Sequence, residues 1–251
     1  MGYCIPATYR LARMSVNTYF VSDLHLFSRR SQALRYQNQM HDTAREAQAF
    51  VLGGDIFDFR WSTLKSPQAT VDAAIAWLEE LIAPHPHCQF HFVLGNHDSN
   101  QRFVARLARL AEELPNLHWY DDYVRLGHSV FLHGDVADAN MTAAMLAVRR
   151  QKWHHDEKRG PVKNLIYDLV VHTRLHKLAG HIANPQSQVA ARICGYLEDV
   201  GQSPKTGLRH VYFGHTHVAM SHYQYGGLTF HNGGAPIKGL EFRIIKTEAQ
   251  T

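Results

Sequence analysis

Phe50-Val51-Leu52-Gly53-Gly54-Asp55-Ile56-Phe57-Asp58 is an apolar, strand-forming run that stops at two glycines and turns at once into acidic residues. Similar runs, rich in β-branched and aromatic residues, lie at 18–21, 90–94, 130–132, 211–213, 228–230 and 242–245, and most end in Gly, Asp, Asn or His. Helical spacing occupies 32–47 and 69–81 between the first three runs, and 101–113 after them, where Leu107, Leu110 and Leu114 share one face. The front half therefore alternates strand and helix. Beyond Gly127 the strands crowd together, and Gly226-Gly227 marks a turn between antiparallel neighbours. This pattern predicts an α/β fold, a four-layer αββα sandwich of mixed β-sheets, formed as one domain over 15–251 behind an N-terminal extension 1–14.

The stretch 140–200 breaks the rhythm and reads as a helical insertion, divided into three pieces by Pro161 and Pro185. Its middle piece places Leu165, Ile166, Leu169, Val170, Leu175 and Leu178 at helical spacing, with Lys163, Arg174, His176 and Lys177 among and around them. Two readings are open: a helix packed on its neighbours, or a basic, partly apolar lid able to meet an acidic amphiphile or a membrane surface.

Composition excludes more than it selects. The 251 residues carry ordinary apolar and charged fractions, which rules out a disordered or collagenous chain. Nineteen histidines nearly match the 22 acidic residues, which tilts the reading toward metal chemistry. A formal charge of +4 favours anionic partners without choosing among them, and no recognition-helix or stacking motif accompanies it, so no specific nucleic-acid partner is expected. Cys4, Cys88 and Cys194 are odd in number and widely spaced, which fits neither a disulfide framework nor a zinc knuckle. Without a spanning apolar run or a signal-peptide core, the expected location is the cytoplasm. Met14 is an alternative start, and Pro6 spoils the myristoylation pattern after Gly2. Oligomeric state is not legible.

Five motifs close apolar runs, where an open α/β sheet presents its loops: Asp23-Leu24-His25, Gly54-Asp55-Ile56-Phe57-Asp58, Gly95-Asn96-His97-Asp98, His133-Gly134-Asp135 and Gly214-His215-Thr216-His217. Any one alone is more often a turn or a satisfied core residue; the ordered set is the signal. Oxygen donors mixed with imidazoles suit divalent Mn, Fe or Zn. If the chain stays extended, the one-residue gaps in Asp23-x-His25 and His215-x-His217 aim two donors at one point. The glycines before Asp55, Asn96 and His215 permit close approach of the loops. Asp55, with two oxygens, can bridge a metal pair about 3.5–4 Å apart.

Over 18–245 this set resembles the calcineurin-like metallophosphoesterase superfamily. The resemblance implies two divalent ions, Mn being the first choice with Fe and Zn as alternatives. One would be held by Asp23, His25, Asp55 and His217, the other by Asp55, Asn96, His133 and His215. It implies hydrolysis of a phosphoester by a metal-bridging hydroxide, with His97 near the phosphoryl oxygens or leaving group and Asp98 orienting its ring. Asp58 and Asp135 are candidates to hold ligand histidines, or simply to serve turns and caps. Arg60, Asn100, Arg149 and Lys163 are candidate substrate contacts, and Asn232 either supports the site or only forms the Asn-Gly-Gly turn. His41, His85, His87, His154, His155 and His172 read as surface or core residues.

Within that superfamily, Phe20-Val21-Ser22-Asp23-Leu24-His25-Leu26, His133-Gly134-Asp135 and the long insertion resemble the UDP-2,3-diacylglucosamine pyrophosphatase branch of lipid A synthesis. There a lid holds acyl chains, which implies a lipid-linked substrate and peripheral contact with the inner membrane. That branch carries Arg where this chain has His97. The histidine is usual in broad-specificity and cyclic-nucleotide phosphodiesterases, the main alternative, while a non-catalytic metal-binding scaffold is the remote one.

Overall fold

A computed structural model describes residues 17–154 and 185–247. Among these residues, ten strands form two sheets. The first, in the order β10-β1-β2-β3-β4, pairs β1 (Thr18–Val21), β2 (Ala49–Gly53), β3 (Gln89–Val93) and β4 (Leu117–Tyr120) in parallel, with β10 (Ile245–Lys246) antiparallel at its edge. The second, β5-β6-β7-β9-β8, has β6 (Ser129–Leu132), β7 (His210–Tyr212) and β9 (Leu228–Asn232) parallel, flanked by antiparallel β5 (Tyr123–Leu126) and β8 (Met220–Tyr225). Both sheets are mixed, as expected.

Strand alternation sorts the core into layers. Phe50, Leu52, Phe90 and Phe92 face α1 (Gln37–Glu46), α2 (Pro67–Ile82) and α3 (Gln101–Glu113), meeting Met40, Leu78 and Leu107. Their neighbours Val51 and Val93, with Phe20, point the other way and meet Val124, Phe131 and Tyr212 of the second sheet. That sheet turns Val130, Leu132, Val211 and Phe213 toward Leu146 of α4 (Ala143–Arg150) and Val189, Ile193 and Leu197 of α5 (Gln186–Asp199). The result is the four-layer αββα sandwich. Central strands buried on both faces must be apolar throughout, which is why they were legible as continuous runs.

Some elements differ from the sequence expectation. The helix at 32–47 divides into a 3-10 turn at Ala33–Tyr36 and α1, and the last expected strand shrinks to Ile245–Lys246. β4, β5 and β8 carry no continuous apolar run, because sheet edges and the ends of the sandwich let polar side chains such as His118, Arg125 and Gln224 face outward. Helix α2 starts earlier than the periodicity alone indicates, where Ser66 accepts from the Ala69 N–H (3.1 Å) and Pro67 takes the first position. The two ends of the 140–200 stretch pack as helices on the second sheet. The middle piece, with Lys163, Arg174, His176, Lys177, His155 and His172, lies outside the described residues, as do Cys4 and Met14.

Candidate metal centre

Loops leaving the C-terminal ends of β1, β2, β3, β6 and β7 bring Asp23, His25, Asp55, Asn96, His133, His215 and His217 to one place. The means is not the extended chain expected of Asp-x-His and His-x-His. Asp23, His25, Asp55, His215 and His217 all have positive φ, between 45° and 64°. Left-handed backbone costs a side-chain-bearing residue about 1–2 kcal/mol, so a conformation held at five donor positions is imposed by the surrounding structure. Two glycines are required by close approach. A Cβ at Gly95 would stand 2.2 Å from Asp55 Oδ1, and one at Gly214 2.1 Å from Asp23 Oδ2.

The donors form three overlapping groups, Asp23/His25/His217, His25/Asp55/His97 and Asp55/His133/His215, each with its ligand atoms within 4.8 Å of one another. His25 Nε2 and His217 Nε2 are 2.9 Å apart; His133 Nε2 lies 3.1 Å from Asn96 Oδ1, 3.3 Å from His215 Nδ1 and 3.4 Å from Asp55 Oδ2. Asp55 joins two groups, as a bridging carboxylate must. The loops are knitted by the same carboxylates: Asp55 Oδ1 accepts from the His97 N–H (2.8 Å), and Asp23 accepts from the His215 N–H (2.9 and 3.0 Å).

Electrostatics agree with a cation site. Asp23 is wholly buried and Asp55 is 2% exposed. Burial alone would raise the Asp55 pKa, but the imidazoles of His133 and His97 outweigh it and hold the carboxyl well below its usual value. Burial acts on His133 in the opposite sense and would lower its pKa, yet the Asp55 charge dominates and lifts it to about 10. His25 goes the other way, to about 3, through burial and the neighbouring Arg30. Two buried carboxylates, an amide oxygen and convergent imidazoles form a donor set suited to two divalent ions, and buried carboxylates need such compensation.

Of the acids expected to support the site, Asp58 lies against ligand histidines, whereas Asp98 and Asp135 do other work. Asp98 does not touch the His97 ring; its carboxylate accepts the backbone N–H groups of Phe57 (2.9 Å), Ile56 (3.2 Å) and Gly95 (3.3 Å), fixing two ligand loops together. Burial, then the Asp55 charge, pushes its pKa up to about 7. Asp58 takes the role instead, accepting from His97 Nδ1 at 3.0 Å while Oδ2 lies 3.5 Å from His25 Nδ1. Asp135 likewise holds no histidine: it is clamped by Arg150 (2.7 and 2.9 Å), and His133 Nδ1 has no hydrogen-bond partner among the described residues. Asp138, three residues on, accepts from His215 Nε2 at 2.8 Å.

The candidate substrate contacts that are described have partners within the protein. Asn100 is 2% exposed and caps α3, accepting from Arg102 and Phe103 N–H groups. Arg60 donates to the Lys152 carbonyl (2.7 Å) and lies over the Trp153 ring, 3.9 Å from its centroid. Arg149 pairs with Asp138. Lys163 lies outside the described residues. Asn232 does both things foreseen for it: its amide donates to Gly214 O (2.9 Å) and Thr216 Oγ1 (3.2 Å), and its oxygen accepts from Gly234 N–H.

Like Asp138 and Arg150, Arg30 and Trp153 went unforeseen. Arg30 reaches His25 Nδ1 (3.2 Å) and Asp58 Oδ2 (3.3 Å), and Trp153 lies against His97 with ring centroids 4.5 Å apart. The only sequence cue to Arg30 was its place shortly after the first motif; Trp153 had none.

The family model for calcineurin-like phosphoesterases matches residues 16–219. No curated protein matches the chain. Among solved structures it is similar to a phosphopantetheinyl hydrolase from Mycobacterium tuberculosis (13% identity, 90% of this chain and 92% of that one, TM-score 0.44). It is also similar to a dimetal phosphatase from Danio rerio (10%, 89% and 88%, TM-score 0.45) and a phosphoesterase from E. coli (17%, 89% and 83%, TM-score 0.35). With a family match over most of its length and a His/Asp cluster able to hold metal ions, the chain belongs to the calcineurin-like phosphoesterases and is a metal-dependent phosphoesterase.

Proposed function

We propose that this protein hydrolyses a phosphodiester or pyrophosphate bond, with a nucleotide-sugar lipid of the UDP-2,3-diacylglucosamine kind as substrate. The observation that carries the chemistry is the convergence of seven candidate donors at one centre, where Asp55 is shared by two of the three overlapping groups. Asp23, His25, Asp55 and His217 would hold one divalent cation and Asp55, Asn96, His133 and His215 the other, with Mn²⁺ as the proposed metal; when bound, the pair would supply Lewis-acid charge and lower the pKa of a water toward neutrality. The chain's own residues do the remaining work. A carboxylate can only accept, so the Asp58 contact places a proton on His97 Nδ1; burial lowers the pKa of this ring, but the Asp58 and Asp55 charges outweigh it and raise the value, so that the doubly protonated imidazolium carries a second proton on Nε2, 3.9 Å from Asp55 Oδ2, for delivery to the departing oxygen. Trp153 on the ring face and His25 at its edge keep His97 from rotating.

The lipid-linked reading is supported by α4. Its Met145 and Val148 are 52% and 62% exposed, beside Arg149, which reaches the cluster through Asp138 and His215. An apolar, cationic flank at the mouth suits an anionic amphiphile. No helix among the described residues is long and apolar enough to cross a membrane, and peripheral contact from the cytoplasm belongs to this proposal. His97 favours the second reading, a broad or cyclic-nucleotide phosphodiesterase.

The test is a panel with defined Mn²⁺: a UDP-linked diacylglucosamine, its deacylated analogue, a cyclic nucleotide and an aryl phosphodiester. Mn²⁺-stimulated turnover with preference for the acylated compound is expected. Equal rates on acylated and deacylated compounds would remove the lipid reading, and turnover indifferent to Mn²⁺ and chelator would remove the chemistry.

A further inference from the structure

Of the ligand candidates in the second sheet, His215 alone has a carboxylate on its outer nitrogen. Asp138 Oδ1 lies 2.8 Å from His215 Nε2, while His215 Nδ1 points inward, 3.3 Å from His133 Nε2 and within the Asp55/His133/His215 group. Because the carboxylate is acceptor-only, the contact requires the proton on Nε2, and the neutral ring then offers its Nδ1 lone pair to the cluster. Asp138 comes from the 3-10 turn Asp135–Asp138, which Arg149 ties to α4 through the other carboxylate oxygen. At 31% side-chain exposure the acid sits at the mouth, unlike the fully buried Asp58.

We propose that Asp138 is a positioning residue that fixes the tautomer and aim of His215, and so sets the affinity of one ion of the pair, the ion shared by Asp55, Asn96 and His133. Arg149 is the clamp that keeps the carboxylate turned toward the ring. The inference rests on the two-ion reading of the centre, and it assigns a role to an acid outside the five motifs.

The experiment is calorimetric titration of the full chain with Mn²⁺, backed by metal analysis. Wild type is expected to bind two ions. Asp138→Ala should weaken one of them by about 10–100-fold and leave the other near its wild-type affinity. Asp138→Asn, which keeps an acceptor oxygen without the charge, should retain more of that affinity and guards against a folding defect in the alanine variant. Arg149→Met should weaken the same ion by less than Asp138→Ala.

Wild type binding fewer than two ions overturns the two-ion reading. Two ions in wild type with unchanged affinities in Asp138→Ala overturn the proposal alone. Equal losses in Arg149→Met and Asp138→Ala also overturn it, because the effect would then come from the ion pair between turn and helix.

Discussion

The two sheets reach the metal centre with different equipment. Loops of the first supply both carboxylates, the Asn96 amide and His25, all under a tenth exposed. Loops of the second supply only imidazoles, and those of His215 and His217 keep 20% and 24% of their surface. Support differs in the same sense: Asp58 serves His25, His97 and Arg30 from full burial, whereas Asp138 serves His215 from the surface. Ionised oxygen donors are tolerated at depth only where neighbouring imidazoles and bound cations compensate them. Neutral donors carry no such requirement, so they can stand at the open side and face substrate.

Asp55→Ala strikes both halves and is expected to have the largest effect. Hydrolysis of an aryl phosphodiester should fall on the order of 10³-fold or more, with fewer than two Mn²⁺ retained per chain. Two tightly bound ions in that variant would break the idea that one deep carboxylate joins the halves.

Within the first half, Asp58→Asn and Asp98→Asn separate ring orientation from loop bracing. Asp58→Asn should lower kcat by about 10²-fold with little change in KM. Asp98→Asn should show mainly a lower Tm and a smaller drop in kcat, since its carboxylate holds backbone rather than the ring. The reverse ranking would return the orienting role to Asp98.

The second half rests on the buried Asp135–Arg150 pair, and acid should find it. Burial alone would raise the Asp135 pKa, but Arg150 outweighs it and brings the value to about 2. A carboxylate depressed in the fold stabilises fully above its unfolded pKa of about 3.9, and this contribution, on the order of 2 kcal/mol, is lost as pH falls toward the folded value. Denaturant unfolding of wild type and Arg150→Met should therefore differ clearly at neutral pH and less in acid; a gap independent of pH would mean that packing, not charge, fixes this brace. The smallest effect is expected at Arg45–Asp42, 2.6 Å apart but 69% and 68% exposed. Asp42→Asn should change stability by less than about 0.5 kcal/mol.

Legibility followed the range of each interaction. Phe50-Val51-Leu52 was readable because a strand buried on both faces must be apolar, and β8 was not, because an edge strand such as Met-Ser-His-Tyr-Gln-Tyr need not be. The ligand candidates were readable because each ends a run at a glycine or a strand terminus. Their supports were legible only in part: the sequence offered Asp58 and Asp135 for the ligand histidines and Asp98 for His97, whereas distance across the fold keeps Asp58, gives it the His97 ring as well, and puts Asp138 on His215.

The amino-acid order by itself determined the layered α/β architecture, the succession of loops and the kinds of donor they carry, since each depends on local periodicity and residue chemistry. Only the tertiary structure decided which acid faces which imidazole, that five donors turn through left-handed backbone, and that Arg60, Asn100 and Arg149 bind the protein itself. Those outcomes are set by the pairing of β1 with β2 and β3 and by the packing of one sheet on the other, which bring side chains together from loops tens of residues apart.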